Sequence, residues 1–235
     1  MIRITQSLAG AAAIAVLAGP LAACNPQAGT ASPPAMANAA SPAVSDRNVR
    51  VLAAAEDYET LTETAFDKTF PELSVSLTAA RQKASKARAV LAPDQATRLD
   101  ALGVEIDAAL RDQNRSAIAI AAVETFRVLV SAQDASAQIP VEVSLLDYAG
   151  FRYDANAKSR PINWDQMTAD LAYARETWAR ISPRVTAKGL SGAFDSALSG
   201  MEAAAAQKNA VAAGIAVSNE LALVDALEEH FKPAN

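Results

Sequence analysis

Apolar residues recur in steps of three and four over most of the chain, which places them on one face of an α-helix. The clearest run lies in residues 163–185. Asn163 and Gln166 have the spacing of a capping box at its start, and Pro183 lacks an amide donor near its end. This segment is therefore predicted to be a helix that ends or kinks at Pro183. Its apolar stripe consists of Trp164, Met167, Leu171, Ala174, Trp178, Ile181 and Val185.

Prolines and short polar segments divide the rest of the chain into similar periodic stretches. Pro71 and Pro93 suit the first turn of a helix, and the polar residues 112–114 mark a break. Residues 140–157 are ambiguous, because Val141 and Val143 alternate like a strand. We interpret them as a helix, since a single strand would have no partner. The other predicted helices cover residues 46–70, 71–91, 93–111, 115–129, 190–207 and 210–231.

The fold class that these helices predict is all-α: an antiparallel helical bundle of about seven to eight helices with short connections. The composition agrees, because the chain has 9 glycines among 235 residues and few β-branched runs bounded by turn residues. Residues 46–235 are long enough to bury a full core and short enough to form a single domain.

The two halves of this domain show weak internal similarity. Asn114 and Asn209 each separate one predicted helix from the next, and they lie ninety-five residues apart. Tyr58 and Tyr148 both follow an aspartate, at an offset of about ninety. These matches fit two duplicated four-helix halves, but alanine-rich helices also align with one another through composition alone.

The N-terminal residues follow a different pattern, with Arg3, an apolar run from Leu8 and then Leu21-Ala22-Ala23-Cys24. A basic start and about 15 apolar residues are typical of a secretory signal peptide. The last four residues resemble the lipobox of bacterial lipoproteins, in which an aliphatic and two small residues precede a cysteine. This resemblance implies that residues 1–23 are cleaved and that the Cys24 thiol carries a lipid. An ordinary signal peptide that contains a cysteine is the alternative.

Residues 24–45 are rich in alanine, proline and serine and have no apolar period, so we expect a lipidated N-terminus followed by a disordered tether. The lipid implied by the resemblance would anchor the chain to the periplasmic face of a bacterial membrane, without a transmembrane helix. In enteric bacteria an Asp after the cysteine is associated with the inner membrane. Asn25 occupies that position, which favours the outer membrane.

The sequence has few residues of the types that most often catalyse reactions or bind cofactors. Cys24 is the only cysteine and His230 the only histidine, which excludes disulfides within the chain and histidine clusters. A Ser-His-Asp relay would have to use His230, which we interpret as a cation at the C-terminal end of the last predicted helix. The Glu-x-x-His motif of ferritin-like diiron proteins is missing, since Leu227 stands where the glutamate would be. A net charge of −5 argues against nucleic acid as a partner. We therefore predict no catalytic residue, no metal ligand, no cofactor and no enzymatic activity.

Six of the twelve aromatic residues lie between positions 148 and 178. Dense packing between two helices is the ordinary interpretation of such a cluster. The alternative is an interhelical groove for an apolar ligand or a partner helix, with basic side chains at its rim. The residues predicted for this groove are Tyr148, Phe151, Arg152, Trp164 and Trp178.

Packing surfaces without a reactive constellation indicate a non-enzymatic interaction or scaffold module of the cell envelope, with another envelope protein as its partner. The alternative is a helical bundle that binds a small ligand or a metal and serves an envelope transport or redox system. The aromatic cluster and the acidic first helix favour this alternative, whereas the absence of ligand motifs favours the interaction module.

Overall fold

The computed structural model describes residues 44–233, and this part of the chain forms eight α-helices and no strand. The all-α prediction is therefore confirmed for these residues. The predicted signal peptide (residues 1–23), the lipidation site Cys24 and most of the predicted tether lie outside them. The helices are α1 (Asp46–Thr64), α2 (Phe70–Arg88), α3 (Pro93–Arg111), α4 (Arg115–Val130), α5 (Val141–Lys158), α6 (Trp164–Ile181), α7 (Lys188–Ala206) and α8 (Ala210–Phe231).

A capping box fixes the start of α2. The Thr69 hydroxyl accepts a hydrogen bond from the backbone N–H of Glu72 (3.4 Å), and the Glu72 carboxylate accepts one from the N–H of Thr69 (2.8 Å). A cap residue is extended rather than helical, so α1 cannot continue through Thr69. The prediction of one helix over residues 46–70 is therefore wrong at its end, since α1 ends at Thr64.

The capping box predicted at the start of α6 is only half formed. Asn163 accepts a hydrogen bond from the N–H of Gln166 (3.2 Å), but the Gln166 amide donates to Asp170 (2.9 Å) instead of returning to Asn163. Pro183 follows the end of α6 in a short 3-10 turn, as its missing amide hydrogen predicts. The ambiguous segment after residue 140 is the helix α5, as predicted.

The helices pack in the same order in both halves of the chain. In the first half α1 packs against α2 and α4, and α3 packs against α4. In the second half α5 packs against α6 and α8, and α7 packs against α8. Contacts between α4 and α5 join the halves. The first core is built from α1–α4 and the second from α5–α8, while α5 contributes buried residues to both. This repeated order is the packing expected of two four-helix halves.

The α3–α4 and α7–α8 connections are built in the same way. Gln113 and Lys208 both have positive φ, 52° and 50°. The next residues, Asn114 and Asn209, cap α4 and α8 by accepting a hydrogen bond of 3.1 Å from the N–H three residues on. The offset of ninety-five residues noted in the sequence therefore relates equivalent turns.

The same offset relates the buried positions of α1 to those of α5. Tyr58 lies in the first core and Tyr153 in the second, and both are almost fully buried. Tyr148 packs in the first core, so it is not the structural counterpart of Tyr58 that the offset of about ninety indicated. The corresponding buried pairs are Val51 with Leu146, Ala54 with Ala149 and Tyr58 with Tyr153.

Candidate functional site

The five residues predicted to line an aromatic groove do not come together at one surface. Tyr148 and Phe151 are buried in the first core, and Trp178 is buried in the second. Trp164 is half-buried beside the second core, and Arg152 belongs to an ion-pair network. Core packing, the ordinary interpretation of the aromatic cluster, therefore accounts for three of the five positions.

A polar network joins α4, α5 and α6 in the interior. The Arg152 guanidinium forms ion pairs with Glu124 of α4 (3.1 Å) and with Asp170 of α6 (3.2 Å). The Tyr148 hydroxyl donates to Glu124 (2.8 Å), and Arg127 pairs with the other oxygen of that carboxylate (2.9 Å). Opposite charges are thus paired with one another, which is the arrangement that makes buried ions tolerable.

Asp170 is the most deeply buried charged member of this network, with 2% of its surface exposed. Besides its ion pair with Arg152, it accepts hydrogen bonds from Asn156 (2.9 Å) and Gln166 (2.9 Å). Burial raises the pKa of Asp170 to about 6, and the two amides and the guanidinium act against that rise. With both oxygens bound, Asp170 fixes α6 against α5, which is a structural role.

Another buried carboxyl, Glu220 of α8, lacks such partners. Its side chain is fully buried, and neither carboxyl oxygen has a hydrogen-bond partner within the described residues. Glu220 lies over Gly150 of α5. A Cβ atom at residue 150 would collide with Oε2 of Glu220 and would lie 2.7 Å from Cδ2 of Leu221. A side chain at this position would therefore force the ends of the Glu220 and Leu221 side chains to move.

Two further carboxyl groups, Asp147 and Glu59, lie in the same region as Glu220. Asp147, nearly one turn before Gly150, is 7% exposed, and burial raises the pKa of Asp147 and of Glu220 well above their ordinary values. Burial, with neighbouring carboxylates, raises the pKa of Glu59 in α1 to about 7. Within residues 44–233, no group of three or more His, Cys, Asp or Glu side chains could hold a metal ion. We call Glu220, Asp147 and Glu59 the carboxyl cluster. Proton binding is the chemistry that these three carboxyl groups offer.

A wide apolar groove runs between α7 and α8, and we call it the α7–α8 groove. It has a volume of about 700 Å³, and its lining residues are uncharged. Small residues bring the two helices close together, since a Cβ at Gly200 would lie 3.5 Å from that of Ala216. The lining residues include Ala193, Ala197, Gly200, Ala212, Ile215 and Ala216.

The α8 side of this groove faces solvent. Val211 is 75% exposed and Ile215 is 61% exposed. Glu220 is the only charged residue between positions 210 and 224 and it is buried, so this part of α8 presents no charge at its surface. By length and composition α8 could cross a membrane, and 28% of its most apolar stretch is buried in the structure. An exposed, uncharged apolar surface of this kind is typical of an interaction site.

The hollow between α2 and α3 has a different chemistry. It measures about 390 Å³ and is lined by two ion pairs, Arg81 with Asp107 and Arg88 with Asp100. Burial of this surface by an apolar partner would desolvate these charged side chains. The α7–α8 groove is the better candidate for binding an apolar surface.

Comparison of the chain with family models, curated proteins and solved structures gave no match. With no match, the geometry of the described residues is what distinguishes the candidate sites. The α4–α6 network and the carboxyl cluster are largely enclosed, whereas the α7–α8 groove is open to a partner.

Proposed function

We propose that the protein is a lipid-anchored, non-enzymatic interaction module of the bacterial cell envelope, and that the α7–α8 groove contacts another envelope protein. The observation that carries this proposal is the pair of exposed side chains Val211 and Ile215, beside a groove with uncharged lining. Covering the exposed parts of these two side chains contributes about 2–3 kcal/mol to binding. Charged groups, which would resist such burial, are absent from the groove lining.

The membrane location in this proposal is supported by the lipobox resemblance of residues 21–24, and Asn25 favours the outer membrane. A Cys24→Ser chain is expected to stay uncleaved or to be released into the periplasm, as measured by membrane fractionation and by the mass of the N-terminus. A Cys24→Ser chain that is cleaved after residue 23 and stays in the membrane fraction would refute the lipid anchor.

The contact surface is tested by photo-crosslinking in intact cells. A photoreactive phenylalanine analogue at Ile215 should give a discrete adduct with one envelope protein. The matched controls are Val75 in α2 and Val104 in α3, which are 72% and 67% exposed but lie outside the groove. The same adducts from all three positions, or none from Ile215, would contradict the proposal.

A small apolar ligand in the same groove is the second candidate function. The groove volume of about 700 Å³ favours it, because small-molecule sites typically measure about 300–1,000 Å³. Native mass spectrometry of the protein should then show a bound molecule of constant mass, which Ile215→Asp removes. Bare polypeptide in every preparation would count against this candidate.

A further inference from the structure

The α7–α8 groove has an internal counterpart on α4. The repeated turns at Asn114 and Asn209 align α4 with α8 at an offset of ninety-five residues. At this offset, each α8 residue that lines the groove has an equivalent in α4. Ala212, Ile215, Asn219 and Ala222 correspond in order to Ala117, Ile120, Glu124 and Arg127.

In the first half, this face of α4 packs against α5. Glu124 accepts a hydrogen bond from the Tyr148 hydroxyl, and the Arg127 guanidinium lies 5.3 Å from the centre of the Tyr148 ring. Ala117 and Ile120 line a hollow together with Asn156 of α5 and residues 159–163 of the α5–α6 connection. No helix of the described chain follows α8 to cover the equivalent face, and Asn219 and Ala222 are exposed.

We propose that the α7–α8 groove receives an amphipathic helix of another polypeptide, seated on α8 as α5 is seated on α4. This inference rests on the proposed function and specifies the chemistry of the partner. Where α4 has the charged residues Glu124 and Arg127, α8 has the uncharged residues Asn219 and Ala222. The partner helix therefore needs an uncharged contact face with aliphatic or aromatic side chains and a hydrogen-bonding group opposite Asn219.

A second copy of this chain does not offer such a helix through α1, the equivalent of α5. The α5 face that packs against α4 contains apolar residues, whereas three of the equivalent positions of α1 are polar and exposed, and the equivalent of Tyr148 is Ala53. Burying charged side chains against the uncharged groove would leave them without partners. The equivalent positions are Leu145 with Arg50, Phe151 with Glu56 and Ala155 with Thr60.

The experiment uses a synthetic helix derived from α5 as the probe. The peptide contains residues 141–158 with Arg152→Leu, because the Glu124 that pairs with this arginine is Asn219 in α8. A hydrocarbon staple on its polar face holds the helix, since a free peptide of this length is only marginally helical. The control peptide also carries Tyr148→Ser and Phe151→Ser, which remove the aromatic contact face.

Fluorescence anisotropy with the full chain should show saturable binding of the first peptide and none of the control. Ile215→Lys should weaken that binding at least tenfold, whereas Val75→Lys, on the exposed surface of α2, should leave it unchanged. Circular dichroism of both variants serves as the control that they are folded. Absence of saturable binding, or equal binding by wild type and Ile215→Lys, would overturn the inference.

Two further measurements would identify a different occupant of the α7–α8 groove. Sedimentation that shows a dimer lost in Ile215→Lys would overturn the inference in favour of a second copy. Co-sedimentation with phosphatidylcholine vesicles that Ile215→Lys abolishes would overturn it in favour of a lipid surface. A photo-crosslinked protein at Ile215 together with failure of the peptide would leave the proposed function standing and remove only the helix.

Discussion

Replacing Gly150 with alanine tests the close contact between α5 and α8. In an open helix, exchange of glycine for alanine stabilises the fold by about 0.5–1 kcal/mol. At Gly150 the new methyl group would meet Oε2 of Glu220 and would lie 2.7 Å from Cδ2 of Leu221. Glu220 is fully buried, so a shift of its carboxyl group would have to be accommodated by the side chains packed around it. Overpacking of this kind costs about 1–3 kcal/mol, and we expect a net loss of about 1–2 kcal/mol.

The matched control is Gly103→Ala in α3, where a Cβ atom would meet nothing within 4 Å. Urea unfolding followed by far-ultraviolet circular dichroism should give a gain of about 0.5–1 kcal/mol for Gly103→Ala. It should give a loss for Gly150→Ala, and thermal midpoints should move in opposite directions by about 2–6 °C. A gain of the same size at both positions would refute the close contact.

A double-mutant cycle shows which neighbour causes the loss. Glu220→Ala removes the carboxyl group that collides with the new methyl, whereas the contact with Leu221 stays. The double variant Gly150→Ala/Glu220→Ala should therefore be more stable than the two single losses predict, by about 0.5–2 kcal/mol. Strict additivity would mean that Glu220 does not oppose the methyl group.

Three further predictions concern the polar groups. Arg152→Ala leaves two buried carboxylates without their shared cation and should cost about 2–3 kcal/mol, while Arg175→Ala, from an exposed pair, should cost under about 1 kcal/mol in the same urea assay. Asn114→Ala and Asn209→Ala should each cost about 1 kcal/mol, and clearly unequal losses would argue against equivalent turns. Because the pKa of Glu59 is raised to about 7 in the folded state, that state binds more protons than the unfolded chain between about pH 4.5 and 7. Stability should fall as pH rises through this window, and thermal unfolding of Glu59→Gln should show a flatter pH profile; an identical profile would contradict the raised pKa.

The helices could be predicted from the sequence because each carries a regular apolar stripe and most begin at a proline or a polar cap. The end of α1 could not, because the apolar and small residues beyond Thr64 continue the helical spacing. There the competing signal is the pair Thr69 and Glu72, which has the capping-box spacing and overrides the propensity of the preceding turn.

The buried carboxyl at Glu220 could have been predicted. It lies on the same helical stripe as Val217 and Val224, so the 3.6-residue period places it among core positions. Its contact with Gly150 could not, because contacts between helices distant in sequence depend on the packing order. The helix period also could not show whether the apolar face of α8 near Ile215 is covered or open, since a buried and an exposed stripe have the same spacing.

Because α5 contributes residues to both cores, the two halves of the chain are coupled in folding. Eleven of its eighteen residues are buried, and eight of these belong to the apolar cores, three to the first and five to the second. Neither half can therefore melt without exposing apolar surface of the other, and the two halves should behave as one cooperative unit rather than as independent foldons. A chain cut between residues 130 and 141 would separate Tyr148 and Phe151 from the core in which they are buried. If the halves arose by duplication, the ancestral four-helix unit became inseparable once its second copy supplied a structural element to the first.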